Sequence, residues 1–335
     1  MKAAVFKGVG KPLSIESRPD PTPEPDEVVI RVGRCGVCSS DLAMTSGEGV
    51  TYPPESILGH EYAGEVMDVG RDVDTLHVGD RITSLPMRSC GKCAACMRGY
   101  PLGCASMVPM MSGYAEYSQV KERWALKLPD ALSLADGALI EPLASSLRGV
   151  AMSGIRPGSH VVILGAGAIG LGAAFWARRM GASRIVVVAR SQRQSDLAAA
   201  MGATHFLTQG EDLAERLGRV LDRPPEVVFE CVGKPGSLNQ GVELAAPGGS
   251  VVSLGMCMQA DSVVPFFAGV KNVVLRFSAA YELRDFEAAV DAMDSGAAEP
   301  RAMISGTIRL GELPEVFEQL RYTHRGCKTL VQPST

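Results

Sequence analysis

Apolar positions come in short unbroken blocks through the middle of the chain: VVIL at 161–164, IVVV at 185–188, VVF at 227–229 and VV at 251–252. Blocks without polar alternation predict strands buried on both faces, the habit of a parallel sheet. Between them lie stretches with helical spacing, such as LGAAFWARRM, which stops at Gly181. Strand and helix alternate from 160 to about 255, with HFL at 205–207 as a further strand, and NVVLRFS at 272–278 supplies a sixth. That alternation predicts a doubly wound α/β sheet. The first 150 residues read differently. KAAVF and EVVIRV are strand-like, RPDPTPEPDE between them is a surface loop, and residues 115–128 give two more short strands. Glycines and the GDR turn at 79–81 complete the outline of a mostly antiparallel β domain. ADGALIEPLASSLRGVAMSG, 135–154, predicts a helix that leads into the parallel region. Helices near 283–296 and 312–321 then return to the first domain. The expected division is 1–152 with 283–335, and 153–282.

Composition narrows this picture. With 335 residues, 46% hydrophobic and 21% charged, the chain can fill two sizeable cores. No apolar run reaches the roughly 18 residues of a membrane span, and MKAAVFKG does not read as an export signal. A net charge of −4 argues against nucleic acid as the main partner. The expected compartment is the cytoplasm, where nine cysteines read more readily as metal ligands than as disulfides.

Three constellations carry chemistry. Gly165, Gly167 and Gly170 form G-x-G-x-x-G between a strand and a helix, with Ala168 and Ile169 opening that helix. Gly165 permits the tight turn, Gly167 lets backbone approach a pyrophosphate, and Gly170 lets helix pack close on strand. Cys90, Cys93, Cys96 and Cys104 stand as C-x2-C-x2-C-x7-C. Four thiolates fill a tetrahedral zinc shell and leave no open position, so this zinc would be structural; iron–sulfur ligation is the rival, with different typical spacings. Cys38, then His60 and Glu61, offer one thiolate, one imidazole and one carboxylate with a fourth position free. By residue type alone, a packed histidine and a small buried cysteine are the commoner reading of that third pattern.

In order and approximate spacing, GVCSSD, GHE, the four-cysteine lobe, IEPLA and GAGAIG resemble the zinc-dependent medium-chain dehydrogenases. The resemblance runs from residue 1 to 335 and is strongest to the branch of sorbitol and other polyol dehydrogenases and threonine dehydrogenase. It implies a GroES-like catalytic domain, a Rossmann domain, and a catalytic zinc in the cleft between them. Cys38 and His60 match family zinc ligands; Glu61 matches a carboxylate that is a ligand in the polyol branch and sits behind the metal in others, and Glu141 one that ligates directly or through water in that branch. Ser40 matches the hydroxyl that takes the alcohol proton. Ala43 stands where many relatives carry a relay histidine. Two zinc ions per chain are therefore expected, with a secondary alcohol or polyol, or the matching ketone, as substrate. The family also implies a homodimer or homotetramer, paired through the strand at 272–277.

Cofactor choice rests on the end of the second parallel strand. An NAD site presents an acid there, whereas this chain has Ala189 followed by Arg190 and Arg193. Guanidiniums can hold a 2′-phosphate, which favours NADP(H) over NAD(H); two solvated arginines opening a helix are the alternative. Two other functions compete. A zinc-independent NADPH quinone or enone reductase would lack the ligand cysteines, and a nucleotide-binding structural protein would lack turnover.

Overall fold

The computed structural model describes residues 1–323 and 326–334. Two units separate, Met1–Ala144 with Tyr281–Thr335, and Ser145–Ala280.

Up to residue 144 the chain is mainly antiparallel β. Its strands are β1 (Lys2–Phe6), β2 (Ser14–Ser17), β3 (Glu27–Gly36), β4 (Ser56–Ile57), β5 (Glu61–Val69), β6 (Arg81–Ser84), β7 (Met87–Arg88), β8 (Val108–Pro109), β9 (Tyr117–Lys121) and β10 (Ala125–Lys127). Short helices α1 (Ser39–Ala43), α2 (Ala94–Met97) and α3 (Leu134–Gly137) interrupt them. β3 is the organising strand: Val28, Ile30 and Val32 point into the core with Phe6, Leu58, Tyr62 and Phe317. It pairs antiparallel with β5 in a register that sets Gly36 opposite Glu61. Cys38, two residues beyond the end of β3, is thereby brought beside His60, one residue before β5.

The helix expected over 135–154 is two helices, α3 and α4 (Ile140–Met152). Proline lacks an N–H and is tolerated only in a first turn, so the helix restarts with Pro142 in that place. The division between the units falls within α4.

The second unit holds β11 (His160–Leu164), helix α5 (Ala168–Arg179), β12 (Arg184–Ala189), β13 (His205–Thr208), β14 (Val227–Glu230), β15 (Ser250–Ser253) and β16 (Val274–Phe277). All pairs are parallel, in the order β13-β12-β11-β14-β15-β16. This is a Rossmann sheet, and its switch point lies between β11 and β14. Val162, Val186, Val228 and Val251 share one core cluster, which is why these strands read as unbroken apolar runs.

After residue 281 the chain adds β17 (Ile304–Arg309) and β18 (Lys328–Gln332) to the first unit. These two run parallel to each other, and β18 pairs antiparallel with β3 through Leu330↔Gly36 and Val331↔Cys35. Among the described residues no helix is long and apolar enough to cross a membrane.

Candidate metal and nucleotide sites

Cys38 caps the N-terminus of α1, its sulfur accepting from the Ser40 N–H at 3.5 Å. The cap turns the thiol toward the start of β5. There the ligand atoms of Cys38, His60 and Glu61 lie within 4.8 Å of one another. The Ser40 hydroxyl stands between them, 3.1 Å from Cys38 Sγ and 3.4 Å from His60 Nε2. His60 Nδ1 faces Asp41 Oδ1 at 3.3 Å, while Asp41 Oδ2 accepts from the Tyr114 hydroxyl at 2.6 Å. Glu61 Oε1 accepts from Lys328 Nζ at 2.6 Å, and both side chains are buried. Glu61 Oε2, equally buried, has no partner among the described residues.

Electrostatics in this group follow from burial and close charges. Burial opposes the charged form of His60, but Asp41 and Cys38 outweigh it and hold the imidazole well above its ordinary range. Glu141, at the start of α4, is buried outside the three-residue cluster. Burial is the main cause that pushes its carboxyl up to about 7; the Glu61 charge adds to this, while His60, Lys328 and the Tyr281 hydroxyl oppose it. The Tyr52 hydroxyl donates to Met111 Sδ at 2.9 Å, and burial, then Asp41, keep that phenol protonated.

Asp41, Lys328 and Tyr281 were not singled out from sequence. Asp41 could have been, as an acid two residues before an aliphatic helix end in GVCSSDLA. Lys328 carries no local signal, because it meets Glu61 only through the pairing of β18 with β3.

In the lobe, Cys90, Cys93, Cys96 and Cys104 also converge within 4.8 Å. Sulfur separations are 3.9 Å for Cys90 with Cys96 and 3.5 Å for Cys93 with Cys96. A tetrahedral ion with zinc–sulfur bonds of about 2.3 Å requires edges of about 3.8 Å, so the lobe fits zinc. Backbone N–H groups of Lys92 and Cys93 point at Cys90 and bring its thiol down to about 6; those of Cys90 and Ser106 lower Cys104. Ser89 accepts from Cys96 Sγ and from Trp124 Nε1, fixing the lobe to the strand region behind it. All nine cysteines are free thiols.

At the Rossmann sheet, the three glycines differ in what surrounds them. Gly165 has φ +105°, open to glycine at little cost. A Cβ on Gly170 would stand 2.0 Å from the Gly165 carbonyl oxygen, so helix and turn touch there. A Cβ on Gly167, the N-cap of α5, would meet nothing within 4 Å: the space before the helix N-terminus is open. Ala168 begins α5, and Ile169 offers its carbonyl to the Ser146 hydroxyl at 3.1 Å. Ala189 ends β12. Arg190 and Arg193 follow, both exposed and with no hydrogen bond or ion pair among the described residues. Ser191 occupies a cap position without a side-chain cap hydrogen bond.

Comparison with known proteins gives the same two halves. The alcohol dehydrogenase GroES-like domain matches residues 24–130, and the zinc-binding dehydrogenase domain matches residues 168–295. A sorbitol dehydrogenase from Bacillus subtilis is 30% identical over 347 residues, covering 100% of this chain and 98% of that protein. A Sinorhizobium meliloti structure with NADP bound, described as a zinc-binding dehydrogenase, is 34% identical with a TM-score of 0.91, covering 99% of each chain. The 2R,3R-butanediol dehydrogenase of Bacillus subtilis is 27% identical with a TM-score of 0.88, again over 99% of each chain.

Proposed function

The chain belongs to the zinc-dependent medium-chain dehydrogenase/reductase family, enzymes of alcohol and polyol oxidoreduction, and from that premise we propose which residues do the work. Cys38, His60 and Glu61 hold a catalytic zinc ion, and Glu141 supplies the fourth group directly or through water. The observation that carries this is Glu61 Oε2, a buried carboxylate oxygen without a partner, within 4.8 Å of a thiol and an imidazole. An acceptor so placed is costly unless a cation completes it.

Zinc in that position supplies Lewis acidity, the effect that brings bound water from a pKa of about 16 to about 7. The protein's own groups do the rest. Asp41 faces His60 Nδ1 and so keeps Nε2 turned toward Cys38, the orienting role of a carboxylate behind a metal-binding histidine. Lys328 holds one Glu61 oxygen and leaves the other free. The Ser40 hydroxyl, 3.1 Å from Cys38 Sγ and 3.4 Å from His60 Nε2, would relay the proton of a secondary alcohol, accepting it while passing its own to water, and a bound nicotinamide would supply the hydride acceptor. Tyr52 and Met111 lend the first unit a wall that is apolar apart from one hydroxyl.

The four-cysteine lobe holds a second, structural zinc. NADP(H) is the preferred dinucleotide: the open N-terminus of α5 beyond Gly167 suits a pyrophosphate, and Arg190 and Arg193 suit a 2′-phosphate that an acid at position 189 would repel. NAD(H) is the alternative. Two copies pair through β16, an edge strand that exposes Val274 and Phe277, as the segment before it exposes Phe266, Phe267 and Val270. The substrate is a small alcohol or ketone, handled in the cytoplasm.

Metal analysis tests the assignment. Protein purified without added metal should carry two zinc ions per chain. Cys38→Ala should carry one, remain folded and lose turnover on a panel of secondary alcohols and ketones followed by NADPH absorbance. A wild type with one zinc that Cys38→Ala retains would refute the catalytic site.

A further inference from the structure

Glu230 is the last residue of β14, at the switch point of the parallel sheet. It is a carboxylate with 1% exposure in a strand that is otherwise aliphatic and aromatic. Both of its oxygens are used. Oε1 accepts from the backbone N–H of Val232 at 2.6 Å and of Gly233 at 2.8 Å. Oε2 accepts from the Ser253 hydroxyl at 3.3 Å. The Glu230 carbonyl accepts in addition from Leu254 N at 2.7 Å and Gly255 N at 2.9 Å. One residue therefore ties the loop that leaves β14 to the loop that leaves β15.

That tie reaches the nucleotide turn. The N–H of Cys231 donates to the Leu164 carbonyl at 2.8 Å, one residue before Gly165. A Cβ on Gly165 would stand 3.0 Å from the Cys231 carbonyl oxygen and 3.4 Å from Val232 Cγ2, so the β14 loop is the wall against which the glycine turn rests. The β15 loop is pressed on the β14 loop in turn: a Cβ on Gly255 would stand 2.2 Å from Gly233 N and 2.8 Å from Glu230 Oε2. Ligands of doubly wound sheets bind outside the carboxyl ends of the strands, at the switch point. Two strand exits at that point are thus tied together by a single buried acid, and the third, the glycine turn, rests against them. Turning a loop alone would not need it, since an exposed Asp or Asn does that without the cost of burying a carboxylate.

We propose that Glu230 is a positioning residue for the dinucleotide, fixing the loops at 231–233 and 254–257 in the shape that receives it. It does so without touching the 2′-position, and so acts alike on NAD and NADP. The proposal rests on the reading that the glycine turn holds the dinucleotide.

The test is titration calorimetry of the full-length protein with each dinucleotide, for wild type, Glu230→Ala, Glu230→Gln and Gly255→Ala. Hydrogen exchange of the amides at 232 and 233 is followed in the same proteins without ligand. Glu230→Ala should weaken NAD and NADP binding together, by about 10- to 100-fold, the scale of one or two buried hydrogen bonds. The two amides should exchange faster in that variant, and zinc content should be unchanged. Glu230→Gln keeps an oxygen for both N–H groups and an amide that can donate to Ser253, so it should stay within about threefold of wild type. Gly255→Ala retains the acid but forces the loops apart. It should weaken both dinucleotides as Glu230→Ala does, and decides the matter if Glu230→Ala does not fold. Unchanged affinity in the Ala variants, loss confined to NADP, or a Gln variant as weak as Ala would overturn the proposal. A wild type that binds neither dinucleotide would overturn it together with the reading of the glycine turn, whereas tight wild-type binding with an indifferent Glu230→Ala would overturn the proposal alone.

Discussion

Removing the cation behind Glu61 gives a test in which the metal and the protein fold answer separately. Lys328 Nζ lies 2.6 Å from Glu61 Oε1, with side chains 3% and 1% exposed. Burial alone would lower the lysine's affinity for its proton, but Glu61 and Cys38 raise it above the ordinary 10.5. The pair's contribution to stability is therefore complete below 10.5 and is lost only as pH climbs through the raised value. Lys328→Met keeps most of the volume and deletes the charge. In metal-free protein it takes from a buried carboxylate its hydrogen-bonded counter-charge and leaves only the His60 imidazole nearby, a loss of up to about 3–5 kcal/mol. With zinc on Glu61 the ion supplies the missing positive charge, so the loss in loaded protein should be smaller by about 1–3 kcal/mol. Linkage makes the same difference appear as tighter zinc binding in the variant, about 5- to 150-fold. Two units need not unfold together, so a single melting curve is a poor readout. Hydrogen exchange in peptides covering 61–69 and 328–332, with and without zinc, measures the local loss. Competition with a chromophoric chelator measures zinc affinity. Equal destabilisation in both forms with unchanged affinity would mean that Glu61 does not ligate, and the reasoning fails.

Arg190→Ala should raise the Michaelis constant for NADP about 10- to 100-fold, from roughly 1.5–3 kcal/mol of charge-assisted contact, and leave NAD nearly unchanged; steady-state kinetics with both cofactors checks it. Asp136 is opposed by burial, but Arg301, 2.7 Å away, and the Ser133 N–H and hydroxyl hold its carboxyl below the ordinary 3.8. Its contribution is present above 3.8 and fades as pH falls through the lowered value, so Asp136→Asn should cost up to about 1 kcal/mol at neutral pH, with the half-exposed Arg301 keeping it small, and the gap to wild type should close in strong acid. Thermal melts across pH test the sign. Phe277→Lys, at a side chain 67% exposed on β16, should shift light scattering toward the 35.4 kDa of a single chain.

The Rossmann half was legible because its four central strands, β12, β11, β14 and β15, are covered on both faces, and an unbroken apolar run such as IVVV has one reading at that length. β12 lies at Arg184–Ala189, the run that sequence marks. β2 and β17 were not read, since SIES alternates between half-buried and exposed positions, ISGTIR is mostly exposed, and neither buries anything fully. The split of the 135–154 helix turned on one missing N–H at Pro142. In the site, residue types and order pointed to Cys38, His60 and Glu61. Of their support, Asp41 was open to reading in GVCSSDLA, whereas Lys328, the first residue of β18, matters through the pairing of β18 with β3 rather than through any spacing. Glu230 was hidden for the same reason: apart from the Ser253 hydroxyl its partners are backbone groups, which carry no residue signature.

The late position of β18 sets an order of assembly. Glu61 waits for a partner 267 residues further along the chain. At about 5–20 residues per second of synthesis, that is a delay on the order of 10–50 s. Ser145–Ala280 is meanwhile complete and free to fold as an insertion, while the half-made β unit upstream carries an acid without its lysine. Zinc captured by the nascent chain would shield that acid first, and the lysine would arrive at a centre already formed. A ribosome-stalled chain ending near residue 300 should accordingly hold metal more dependently, and lose more of its fold to a chelator, than the released protein does.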